Sequence, residues 1–465
     1  MKKNVLLLIA DDQRFDTIHA LGNKEIQTPN LDKLVARGVS FTNAFIPGGT
    51  SGAVCMPSRA MINTSQFLTS WENCGETIPE TQALLGETLK NEGYETWGIG
   101  KWHNGTESYA RSFSNGEDIF FGGMWDHWNV PVNHFDPTGR YDQLKTFTQD
   151  PFSSNKTMQL PAEHIAIGKH STDLFADRII EAIQSHTSEQ PFFIYGGFLA
   201  PHDPRTMPDA FKEMYNPEEL SLPENFLPEH PFPFDIRGER DETLEAYPRE
   251  PQKICQHLAD YYAMISHIDA RIGDILDSLE EQGILDETLI IFTGDNGLSI
   301  GQHGLMGKQN LYDCSIRVPL ILSGPALPKN RLCDERCLLV DIMPTILDYL
   351  SIPIPKTIYG ESLLPVISGE KKGRDQLFLM FTTKIRGLVT ESFKYLEYRT
   401  KDGHYSQLFD RKKDPFEKVN LCHESGYEST VDSLKDQLYM LAKEHGDLEF
   451  IQGKVFWNHK EKQND

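Results

Sequence analysis

The chain has 465 residues and a formal net charge of -23, enough length for one large core with a smaller unit attached. That charge repels phosphate backbones and no basic stripe offsets it, so nucleic acid is excluded as a partner. Seven scattered cysteines are too dilute for a disulfide framework, and without a CxxC pair they offer no zinc site.

The opening "MKKNVLLLIADDQ" imitates a secretion signal, but its apolar run is short and meets two acids instead of a cleavage site. It is predicted to be a buried first strand. No uncharged stretch elsewhere is long enough to span a bilayer, so the expectation is a soluble chain without a membrane partner, cytoplasmic as it stands or periplasmic if a leader has been trimmed. "TPNLDKLVARG" has a cap before a helical pattern and a glycine behind it. "YETWGIG", "PFFIYGGF", "TLIIFTG" and "VPLILSG" are further strand candidates, and residues 252–282 place apolar side chains at helical spacing. Residues 200–250 hold many prolines and little periodicity, and a loop this long in a compact domain is usually functional.

Alternation of short apolar runs with helical patterns gives an α/β class, a large mixed sheet flanked by helices. After "LPVISGEKKGRD" the pattern changes to the closely spaced strands "QLFLMF", "RGLVTE", "KYLEYR" and "YSQLFD", followed by a helix at about 430–445. The expected division is 1–370 for the α/β domain and 371–465 for a small antiparallel sheet with a helix.

Chemistry gathers at the predicted strand ends. The first strand runs into Asp11-Asp12 and a later one into "GDNG" with Asp295-Asn296. Ligands collect at the carboxyl ends of strands in α/β sheets, and three carboxylates with an amide oxygen suit a hard divalent cation. Alone, each pair could be a helix cap or a turn former, which is the favoured reading of "GDNG" by itself. "GKWHNG" supplies Lys101 and His103, "APHDP" supplies His202, and "GQHGLMGKQNLYD" supplies His303 and Lys308. Cys55, in "SGAVCMPSRAMI", could by itself be a buried thiol, half of a disulfide or a metal ligand. Pro57 suits the opening turn of a helix and places position 55 near its N-terminus, where an anion is favoured.

Together these stretches resemble the type I, formylglycine-dependent sulfatases of the alkaline phosphatase superfamily, over roughly residues 4–420. The specific signature is Cys-x-Pro-Ser-Arg, here Cys55-Met56-Pro57-Ser58-Arg59. The resemblance implies an alkaline phosphatase-like fold and a maturation enzyme, formylglycine-generating or radical, that oxidises Cys55 to formylglycine (3-oxoalanine). The hydrated aldehyde would offer one hydroxyl to attack sulfur and a second whose deprotonation expels sulfate. It further implies that Asp11, Asp12, Asp295 and Asn296 hold Ca2+, with Mg2+ the alternative, and that Arg59 fixes the diol. Lys101 and Lys308 would neutralise sulfate oxygens, His103 would act as base and His202 as acid.

For the substrate, residues 120–142 combine Trp125, His127, Trp128, His134, Asp136 and Arg140. Aromatics beside polar groups suit a sugar ring, although the tryptophans could simply pack under a loop; His303 is weighed equally between structural and substrate-contact roles. The stretch loosely resembles bacterial polysaccharide-fragment sulfatases, including uronate 2-O-sulfatases. The expected function is a sulfuric ester hydrolase, exo-acting on small sulfated saccharides such as 2-O-sulfated uronic acid ends. The alternatives are a phosphonate monoester or phosphodiester hydrolase of the same superfamily, which can carry the same signature, and a noncatalytic glycan-binding protein.

Overall fold

The computed structural model describes residues 3–148, 155–187, 190–233 and 235–458. Its centre is an eight-stranded sheet in the order 331–338, 39–45, 320–323, 288–294, 4–10, 192–197, 95–101, 115–120. Neighbours are parallel except where 320–323 runs against both of its partners, so the sheet is mixed. The strand Asn4–Ala10 is buried along its whole length. Val5, Leu7 and Ile9 join one apolar cluster and Leu6, Leu8 and Ala10 the other, which is why it reads as a continuous apolar run.

The helix Pro251–Glu281 covers one face of the sheet together with Ser171–Ser185 and Pro29–Arg37. Thr28 precedes this last helix but does not cap it through its side chain. Asp269 of the long helix does so instead, accepting from the backbone N–H groups of Asn30 and Leu31. No helix among the described residues is long and apolar enough to cross a membrane.

The second sheet contains the four expected antiparallel strands, Leu377–Phe381, Ile385–Val389, Phe393–Thr400 and Gly403–Asp410. The helix Glu428–Glu444 follows. Two features go beyond the sequence reading. A further helix, Ile451–Asn458, closes the described chain, and Gly48–Gly49, just before Cys55, pairs in parallel with Met380 and Phe381. The small sheet therefore braces the segment that leads into the Cys55 helix.

Its anchor is a buried ion pair. Arg386 donates Nε and Nη2 to the Asp447 carboxylate at 2.7 and 2.9 Å, both side chains are fully buried, and Trp457 Nε1 donates to the same carboxylate at 2.8 Å. Removing one partner strands the other charge in the core. Asp447→Ala is therefore expected to cost about 3–5 kcal/mol, measured as a lower urea midpoint.

Candidate active site

The site follows from register. Strands 4–10 and 288–294 pair in parallel with Ala10 opposite Gly294, so the residues that follow, Asp11-Asp12 and Asp295-Asn296, emerge side by side. All four are buried. Asp12 N–H donates to Asp295 Oδ1 at 3.1 Å, and Asn296 Nδ2 donates to Asp12 Oδ1 at 2.7 Å. Asp12 takes a left-handed conformation at φ 67°, backbone strain of the kind that concentrates at functional sites.

Three cations answer the carboxylates. Arg59 Nε donates to Asp295 Oδ2 at 2.7 Å, Lys308 Nζ donates to Asp12 Oδ1 at 2.6 Å, and Lys101 Nζ is paired with Asp11. Burial works against the charge on Lys101 and Lys308, yet the facing carboxylates keep both ammonium groups protonated above their ordinary range. Burial would raise Asp11 too, but Lys101, His202, Arg59 and Lys308 outweigh it and hold that carboxyl low. Asp295 is pushed up to about 6 by burial and by Asp11, against Arg59 and Lys101.

Cys55 is the first residue of the helix Cys55–Thr64, with Arg59 one turn on. Its Sγ lies 3.4 Å from Lys101 Nζ and 3.5 Å from His103 Nδ1. Burial raises the thiol to about 11 despite Lys101 and Lys308, so the unmodified side chain is a poor nucleophile at neutral pH. Burial, reinforced by Lys101, pushes the His103 imidazole well below its ordinary value and keeps it neutral. His202 Nε2 stands 3.7 Å from Asp12 Oδ2. Cys55, His103, His202 and Lys308 line a cavity of about 240 Å3.

The donor set fits a hard cation. Among the described residues, Asp11 Oδ1 and Asn296 Oδ1 are buried oxygens without a hydrogen-bond partner. Ligand atoms of Asp11, Asp12 and His202, and likewise of Asp11, Cys55 and Asp295, lie within 4.8 Å of one another. Unpaired buried acceptors are costly unless something positive meets them.

Residues 3–352 match the sulfatase family model. The chain belongs to the sulfatase family. Residues 301–444 also match the model of the N-sulphoglucosamine sulphohydrolase C-terminal region. An N-acetylglucosamine-6-O-sulfatase of Bacteroides thetaiotaomicron is 24% identical over 96% of this chain and 87% of its own. An arylsulfatase of Clostridium perfringens is 28% identical over 94% and 93%. In fold, a phosphonate monoester hydrolase of Agrobacterium radiobacter superposes with a TM-score of 0.75 at 22% identity, covering 96% of each chain. This sulfatase-family chain is accordingly a sulfuric ester hydrolase.

None of the seven residues singled out for substrate contact lines the cavity at Cys55. His127 is fully buried, bonded through Nδ1 to Ser171 Oγ at 2.6 Å and through Nε2 to the His202 carbonyl at 2.9 Å, so it braces the His202 loop from behind. Trp128 packs edge-on against His170, and Trp125 against Phe147. Exposed His134 pairs with Glu117, Asp136 closes a turn onto Thr138, and Arg140 is exposed. His303 is buried, stacked on Tyr312 at 3.7 Å and bonded to Asn225.

Other residues line the cavity. Glu239, Arg240 and Asp241, from the long loop, line the cavity with Gln309. Arg240 is held in a fork by Asp203 at 2.5 and 2.7 Å. Glu242, buried against Arg249, accepts from the backbone N–H of Met306 and Gly307 at 3.1 and 2.8 Å and so aims Lys308. The only sequence signal for this group was the length of the aperiodic loop. Tyr195 hydroxyl meets Arg59 Nη1 at 3.1 Å, and the Gly123 carbonyl accepts from Lys101 Nζ.

Gly123 carries a direct test. A Cβ there would stand 2.9 Å from the His103 ring, which would have to move. Misplacing a reacting group by about 1 Å costs about 10²-fold in rate. Gly123→Ala is expected to lose turnover on that scale with an unchanged unfolding midpoint, checked by steady-state kinetics beside a thermal melt.

Proposed function

We propose that this sulfatase removes single sulfate groups from the ends of small sulfated saccharides, using a formylglycine made from Cys55 and a bound Ca2+. The observation that supports this most directly is the convergence of Lys101, His103, His202 and Lys308 on Cys55, with Arg59 one turn along the same helix. Ligand sites usually measure about 300–1,000 Å3, so a 240 Å3 cavity favours one sulfated residue over a polymer. The surrounding charge of -23 opposes a long polyanion. The carbohydrate reading draws support from the N-acetylglucosamine-6-O-sulfatase relative; a sulfated uronate end is one form such a substrate could take.

Hydrated, the matured residue 55 supplies one hydroxyl as nucleophile and a second whose ionisation releases sulfate. Asp11, Asp12, Asp295 and Asn296 would hold the cation, which would supply Lewis acidity to the reaction. Around these groups the chain's own residues do the rest. Lys101 and Lys308 meet the growing negative charge on the sulfate oxygens, and their burial makes each contact stronger than it would be in water. Neutral His103, placed at the 55 side chain, accepts a proton there. His202, fixed through its carbonyl by His127, is positioned to give a proton to the departing alcohol oxygen. Arg59 holds Asp295 and the backbone carbonyls of Lys101 and Phe198, which keeps three strand ends and the Cys55 helix in one geometry.

Sulfate release from a panel of defined sulfated saccharides, beside matched phosphonate esters, tests this reading; faster turnover of the phosphonates would favour the alternative hydrolase. Active protein is expected to show the thiol-to-aldehyde mass change on the peptide containing residue 55. Cys55→Ala should abolish turnover with the fold retained, and full activity from an entirely unmodified thiol would refute the mechanism. Asp295→Ala should lose bound calcium by metal analysis, together with activity, and chelation of the parent protein should reproduce that loss.

A further inference from the structure

A second cleft, of about 500 Å3, meets the catalytic cavity at His103 and Gly123, which line both. Met56, Ile78, Phe121 and Pro161 form its apolar walls, and Glu76 and Glu107 stand exposed at its sides. Among the described residues no lysine or arginine lines it. Among the described residues neither glutamate has an ion pair or a side-chain hydrogen bond.

Resting on the saccharide reading above, we propose that this cleft binds the sugar adjoining the sulfated one and selects a residue without negative charge. Its place follows from continuity. A substrate whose sulfate lies against Lys101 and Lys308 must send its remaining rings out of the small cavity, and the cleft opens where the two spaces share His103. Its lining fits the chemistry of a neutral sugar, with an aromatic ring and aliphatic groups for the apolar face and carboxylates to accept from hydroxyls. A uronate or a second sulfate would meet two unpaired carboxylates and no cation. Like-charge juxtaposition of this kind rejects a competitor without adding affinity for the correct partner. The substrate class is thus a terminal sulfated residue carried on an uncharged sugar.

The test measures kcat/KM for sulfate release from singly O-sulfated hexose, N-acetylhexosamine and hexuronate. The one cleaved best is then extended with either galactose or glucuronate. The galactose compound is expected to be cleaved about tenfold faster than the glucuronate compound. Because Glu76 and Glu107 are exposed, the gap should narrow between about 0.1 M and 1 M salt, as screening shortens from about 10 to 3 Å. The double variant E76Q/E107Q should narrow it at low salt by raising the rate on the glucuronate compound. Equal or faster cleavage of the glucuronate compound, or a gap that neither salt nor the double variant changes, would overturn the proposal. Cleavage of a small aryl sulfate with none of the monosaccharides attacked would instead overturn the saccharide reading beneath it.

Discussion

Three buried carboxylates held together by strand register are the constraint on which the rest of this structure depends. Two like charges about 4 Å apart repel by about 4 kcal/mol at an effective dielectric of about 20. A cluster of three threatens a fold whose whole margin is typically about 5–15 kcal/mol. Arg59, Lys101 and Lys308 each take one carboxylate, and two oxygens, on Asp11 and Asn296, are still left without a partner. Stability and chemistry here draw on the same charges. Two of the cations that make the cluster tolerable, Lys101 and Lys308, are those proposed to meet a sulfate.

Holding three cations in place takes support from far along the chain. Arg59 rides on the Cys55 helix, whose approach is tied to the second sheet through Gly48–Gly49. Lys308 sits in a loop gripped by Glu242, itself neutralised by buried Arg249, so the aperiodic stretch 200–250 works as scaffold as well as cavity wall. Lys101 is set by its strand end and by the Gly123 carbonyl. The net charge of -23 makes this local concentration of positive charge more selective, because an anion is attracted only where the cations are gathered.

The residues whose composition suggested a sugar platform lie away from the cavity at Cys55. The tryptophans of residues 120–142 are engaged with His170 and Phe147, leaving the walls beside the catalytic cavity to Met56, Phe121, Pro161 and a pair of glutamates. An aromatic side chain serves a core as well as it serves a sugar, and composition does not separate the two uses. The same ambiguity covers His127, whose ring nitrogens are taken by Ser171 and the His202 carbonyl, and His303, whose Nε2 meets Asn225.

Periodicity and local motif determined much of this protein. Strands 4–10 and 288–294 lie where their apolar runs place them, because both faces of those strands are buried and the runs are apolar apart from Asn4, Thr288 and Thr293. The long helix spans Pro251–Glu281, close to the 252–282 set by its apolar spacing. Each of the ten residues expected to hold metal or act in catalysis sits in or beside a short signature, and the fold brings all ten near one another. What no sequence pattern could supply is pairing at a distance. That Asp203 grips Arg240, that Glu242 aims Lys308, that Asp269 caps a helix it does not belong to and that Gly123 must stay bare beside His103 are contacts between segments far apart in the chain. Only the packed structure decides them, because a hydrogen bond or a van der Waals contact depends on separation in space and leaves no periodic trace along the chain.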